Sequence, residues 1–220
     1  LSLFAVGAIT WPALLSFISP NYIDSILVKS NDSRLKSEMI TYNSPKGGGT
    51  IKGLFSISKE SKDKLPGIIV VHENRGLNPG SDDEGRAMQK KIDRNDMLED
   101  FIAAYKFLKK HKDCNGKVGV VGFCFGGWIS NMMAVKVPDL KAAVPYYGTQ
   151  PSAKDAKKVK APLLLQYAAL DKRVNAGWPA FEKVLKEKNI EHEAYFYPNV
   201  NHGFHNNTTP RFNEEAADLS

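Results

Sequence analysis

Four stretches of this chain are apolar runs of strand length, and the segments between several of them are patterned as helix. They are "LPGIIVVHE", with Ile68 to Val71 unbroken, then "KVGVVGF", "LKAAVPYYG" and "APLLLQYAALD". A run without polar alternation reads as a strand covered on both faces, the setting of an interior parallel strand. "EHEAYFYP" reads as one more strand. Between them, "MLEDFIAAYKFLKKH" (Met97 to His111) repeats its apolar residues at helical spacing and ends in lysines, which suit the negative end of a helix. "GWPAFEKVLKEKN" is a second helix. The alternation predicts an α/β domain with a mainly parallel sheet, whose chemistry collects at the carboxyl ends of the strands.

Ahead of these elements, "SEMITYNSP" and "TIKGLFSIS" alternate as strands do and flank a glycine-rich turn, so Arg34 to Ile57 is expected to form a hairpin. With 42% hydrophobic residues among 220, the chain can bury a full core as one domain, which excludes disordered and fibrous classes. The net charge of +6 comes from lysines spread along the whole length. Without arginine clusters and interleaved aromatics it reads as solubility, and no nucleic-acid partner is expected. The two cysteines flank the "KVGVVGF" run. A strand of that length separates its ends by about 20 Å, beyond the ~7 Å that a disulfide tolerates, so two free thiols are expected.

The first 20 residues, "LSLFAVGAITWPALLSFISP", are almost wholly apolar from Leu3 to Ile18 and contain Pro12. The run is short for a membrane span and suits the apolar region of an export signal; a buried N-terminal helix or an uncleaved anchor remains the alternative. As an export signal or a tether, the segment places the protein outside the cytoplasm, exported, periplasmic or membrane-tethered, with membrane contact only through this segment if it is retained; a cytoplasmic protein is the alternative. Residues 21–220 then form a single domain.

Within "KVGVVGFCFGGWIS", Cys124 lies where a buried strand turns into a helix, with Gly122 before it and Gly126 and Gly127 after it. Glycines flanking a nucleophile at such a turn form the G-x-S-x-G elbow, here with cysteine in place of serine; a buried structural cysteine beside packing glycines is the bland alternative. The partners follow in the order this elbow demands: Asp171 directly after an apolar strand in "LLLQYAALDKRVN", and His202 in the loop "YPNVNHGFH" after the last strand. Asp171 could also serve as a helix N-cap. His111 at a helix end, His192 at a strand start and His205 further along the loop compete poorly. In this reading His202 accepts the thiol proton, Asp171 fixes its tautomer, and the thiolate attacks a carbonyl. The oxyanion meets the backbone N–H of Phe125 and a second donor near Asn74. Glu73, a carboxylate at a strand's carboxyl end, is a further proton acceptor in reach, or else pairs with Arg75 in a salt-bridged loop; His72 is assigned to packing.

Taken together, "GFCFGG", "ALDKRVNAGWPAFE", "NVNHGF" and "VVHENRGLNP" resemble the dienelactone hydrolase (carboxymethylenebutenolidase-like) family, in its branch with a His-Glu-Asn-Arg-Gly segment, from about Arg34 to the end. The resemblance implies an α/β-hydrolase fold, a mainly parallel sheet with helices on both faces. It also implies a Cys124, Asp171, His202 triad acting on lactones or related esters without metal or cofactor, with Glu73 approaching the thiol when substrate binds. An arginine that holds a substrate carboxylate is a further family feature, for which Arg86 and then Arg211 are the candidates. Monomer and homodimer are both open.

Two departures from the family stand out. A helix and a strand that members carry between "HENRGLNP" and "DDEGRA" are missing, since Pro79 runs into Gly80-Ser81-Asp82, and the chain stops at "NEEAADLS", where a closing helix should begin. The expectation is therefore a break near Pro79-Gly80 or a sheet one strand short. The function expected is a cysteine-dependent hydrolase of lactones or activated small esters. A general short-chain carboxylesterase and a catalytically impaired binding protein are the alternatives.

Overall fold

The computed structural model describes residues 2–5, 32–73, 87 and 89–220. Its strands are β1 (Ser2–Ala5), β2 (Leu35–Ser44), β3 (Gly49–Ser58), β4 (Leu65–Val71), β5 (Cys114–Phe123), β6 (Ala143–Tyr146), β7 (Leu163–Ala168) and β8 (His192–Tyr197). They form one eight-stranded sheet in the order β2-β3-β1-β4-β5-β6-β7-β8. The expected hairpin is present: β2 and β3 pair antiparallel from Leu35↔Ser58 to Ser44↔Gly49, and Gly49 takes φ +81, which a side chain would resist. From β4 to β8 every neighbouring pair is parallel.

Helix α1 (Arg94–Lys110) makes the crossover from β4 to β5. Asp93 starts it by accepting the N–H of Asn95, and Lys109 and Lys110 occupy its last turn. Its apolar stripe, including Leu98, Phe101, Tyr105 and Leu108, is buried. Further helices among the described residues are α2 (Phe125–Lys136), α3 (Ala153–Ala156), α4 (Lys172–Asn175), α5 (Trp178–Glu187) and α6 (Glu214–Leu219). The alternation of strand side chains builds a core on both faces of the sheet. Val118 and Val120 enter a large cluster with Leu108 and Ile129, whereas Val121 and Phe123 pack against a smaller one with Tyr146, Tyr197 and Phe204. Both cysteines are free thiols, as expected, with Cys114 buried.

The sheet is not left a strand short. Ser2–Ala5 lies between β3 and β4, antiparallel to the first and parallel to the second, with Phe4 opposite Phe55 and Ile69. Interior strands β3 and β4 would otherwise present unpaired N–H and C=O groups to each other across a gap, and this short extended segment pairs with both, from Leu54 to Ser56 on one side and from Gly67 to Val70 on the other. Apolar character alone could not reveal this, because a four-residue strand and part of an apolar export segment look alike in sequence. Residues 6–31 and the Pro79-Gly80 junction lie outside the described residues. At the other end, a helix does begin where a closing helix was expected: Asn213 caps α6 by accepting the N–H of Ala216 at 2.9 Å. Tyr146 donates its hydroxyl to the carbonyl of Ser220 at 2.8 Å.

Candidate active site

Cys124 joins β5 to α2 with φ 56 and ψ −109, a conformation that a non-glycine residue adopts only when its surroundings hold it there. The flanking glycines explain how the turn closes. A Cβ on Gly122 would stand 2.1 Å from the carbonyl oxygen of Gly126, and one on Gly126 would stand 2.3 Å from that of Val71. The start of α2 therefore presses directly on the ends of β5 and β4. The main chain is pinned as well: Cys124 N–H donates to the carbonyl of Tyr146 at 3.1 Å, and its own carbonyl accepts from Trp128 N–H at 3.1 Å. Phe125 opens the helix, so its N–H belongs to the first turn, where no intrahelical acceptor exists and negative charge is stabilised.

Asp171 follows β7 and is 5% exposed. One oxygen, Oδ1, accepts the N–H of Val174 at 3.1 Å and caps α4; the other, Oδ2, faces Nδ1 of His202 at 2.6 Å. The capping and histidine-orienting readings of Asp171 are thus compatible, because each uses a different oxygen. With Nδ1 donating to the carboxylate, Nε2 is left as the acceptor, and it lies 3.0 Å from the sulfur of Cys124. His202 sits in the loop after β8, between buried Val200 and Phe204, and the edge of its ring meets Tyr147 with centroids 5.0 Å apart. A thiol, an imidazole and a buried carboxylate in this sequence of contacts can move a proton off sulfur.

The other histidines are elsewhere. His72 lies against Phe101 and Phe125, with Nδ1 2.5 Å from the carbonyl of Glu73; burial pushes its pKa down, in keeping with packing. His205 packs on Phe123 and Tyr146, and burial lowers its pKa too. His111 caps the end of α1, and His192 turns to the carbonyl of Ile190.

A cleft of about 530 Å³ opens over Cys124 and His202, walled by Tyr147, Arg94, Trp128 and Arg173. The guanidinium of Arg94 stacks 4.0 Å from the centre of the Trp128 ring. Arg211 does not line this cleft; it is exposed and packs over the backbone of Gly203. Among the described residues, Arg94 and Arg173 bring guanidinium groups to the cleft, and neither stands out in the sequence. Asn74, Arg75 and Arg86 lie outside the described residues. Glu73 follows β4 and is held by Tyr147 and Asn206, with the Tyr147 hydroxyl 3.1 Å from Oε1 and Asn206 Nδ2 2.8 Å from Oε2.

The sequence profile of the dienelactone hydrolase family matches residues 78–220. The chain belongs to that family. Among curated relatives of this dienelactone hydrolase-family chain, Protein usf of Aquifex pyrophilus is 30% identical over 202 residues, covering 73% of this chain and 84% of that protein. A carboxymethylenebutenolidase homolog of Xenopus tropicalis is 30% identical over 101 residues, covering 45% and 41%. The match thus spans less than half of the Xenopus protein, as it does for a relative from Saccharolobus solfataricus, where the share is 47%. Among solved structures, a dienelactone hydrolase-like promiscuous phosphotriesterase from metagenomic libraries superposes with a TM-score of 0.70 at 19% identity, covering 84% of this chain and 94% of that one. That likeness shows the α/β-hydrolase fold.

Proposed function

We propose that this chain is a cysteine-dependent hydrolase of lactones or activated small esters. The observation that carries the reading is the His202 imidazole bridging the Cys124 sulfur and the buried Asp171 carboxylate. His202 Nε2 takes the thiol proton, and the sulfur attacks the substrate carbonyl. The oxyanion forms at the N–H of Phe125, and the second donor expected from the sequence is near Asn74. As the oxyanion collapses, the carbon–oxygen bond to the leaving group breaks, and the imidazolium returns its proton to that oxygen. Water, deprotonated by His202, then cleaves the thioester to a carboxylic acid and the free thiol. Asp171 steadies the imidazolium in both halves. A thioester route favours good leaving groups such as enols, and Arg94, Arg173 and Lys90 along the cleft favour a substrate bearing negative charge. Glu73 serves as a second acceptor assisting removal of the thiol proton.

Iodoacetamide tests this reading. Alkylation of Cys124 is expected to proceed far faster than that of Cys114 and to abolish hydrolysis of p-nitrophenyl acetate in step, read by peptide mass spectrometry alongside residual activity. Full activity retained on a protein alkylated at Cys124 would remove the thiol from the mechanism.

A further inference from the structure

The Asn206 amide has one possible orientation. Its Oδ1 accepts from the Thr208 backbone N–H at 3.0 Å and from the Thr208 hydroxyl at 2.7 Å. A backbone N–H can only donate, so that end of the amide is the oxygen and the end facing Glu73 is the donor. The main chain of Asn206 is fixed too: its N–H donates to the Gly203 carbonyl at 3.0 Å, and its carbonyl accepts the N–H and the hydroxyl of Thr209, each at 3.2 Å. A residue so thoroughly anchored in the His202 loop reaches across 133 positions of sequence to a carboxylate at the end of β4. Tyr147 closes the arrangement from the other side. Its hydroxyl binds the second Glu73 oxygen, its ring meets His202, and its φ of 36 is unusual for a bulky residue. Among the described residues, the two donors to Glu73 are both neutral.

We infer that Asn206 is a positioning residue: through its amide N–H it fixes the Glu73 carboxylate relative to the Cys124–His202 pair. The inference rests on the hydrolase reading above, in which Glu73 assists the thiol, a task that depends on where its carboxylate is held before it approaches. Neither Asn206 nor Glu73 lines the cleft, so the effect falls on the chemical step rather than on substrate binding.

The test exchanges donor for acceptor. Asn206→Asp keeps an oxygen for Thr208 but turns a second, like-charged oxygen toward Glu73. With p-nitrophenyl acetate at neutral pH, kcat is expected to fall about tenfold or more with KM unchanged. In a Glu73→Gln background, Asn206→Asp faces an amide donor and is expected to cost nothing further. Iodoacetamide labelling of Cys124 but not Cys114 shows that each variant is folded. A loss of equal size in both backgrounds would overturn the inference and reduce Asn206 to a loop staple. A wild-type protein inactive on ester and lactone substrates despite a reactive Cys124 would instead overturn the hydrolase reading, and this inference with it.

Discussion

Cys124→Ala is expected to lower turnover of p-nitrophenyl acetate by roughly four to six orders of magnitude, the loss seen when the nucleophile of a nucleophile–base–acid set is removed. The residual rate comes from binding and oxyanion donors alone. Cys124→Ser keeps a nucleophile in the same strained turn, but an alcohol ionises far less readily than a thiol, so its activity lies between the two. Neither substitution alters the glycines that let α2 approach β4 and β5, so both proteins should unfold at the wild-type urea midpoint. Steady-state kinetics beside urea titrations check this pair of statements; wild-type turnover in the alanine variant would point to another nucleophile.

The second large effect is expected at Asp171, where two functions reside on two oxygens. Asp171→Asn retains an oxygen for the N–H of Val174, so α4 stays capped and stability holds. Its amide N–H₂ then faces His202 Nδ1, which must become the acceptor, placing the imidazole proton on Nε2, where it confronts the thiol. Loss of the correct tautomer is expected to lower kcat by about 10³ to 10⁴. Asp171→Ala loses the same tautomer control and the cap, so it should also lower stability by about 1 kcal/mol. Comparing urea midpoints and kcat for the two variants separates the roles. Equal stability losses in both, or a near-normal kcat in the asparagine variant, would contradict the assignment.

Much of this arrangement was legible from residue order. The parallel strands announced themselves as apolar runs because both their faces are covered, as with Val118 to Val121 in β5. The sequence Cys124, Asp171, His202, each after a strand, placed three side chains at one edge of the sheet because parallel strands all point their carboxyl ends the same way. The cleft residues were harder to find. Arg94 begins a helix, but since α1 crosses back from the end of β4, its first turn also lies at that edge; Arg173 stands two residues past Asp171 on a short helix. Tyr147 passed as an ordinary strand aromatic, although it directly follows β6 at the same edge. Asn206 carried no sequence signal, because its partner is Glu73, at the end of a distant strand. The strand Ser2–Ala5 was hidden for a different reason: its placement depends on an opening between β3 and β4 that only the assembled sheet defines.

The central claim is that the Cys124 sulfur carries the acyl group during turnover. The protein is mixed with excess p-nitrophenyl acetate, quenched in acid within milliseconds, digested, and its peptides weighed. The account predicts one acetyl group on the peptide containing Cys124, removed by neutral hydroxylamine as a thioester is, and absent from Cys124→Ala. An active enzyme whose acetyl group sits on another side chain, such as Ser130, with Cys124 unmodified, would contradict it.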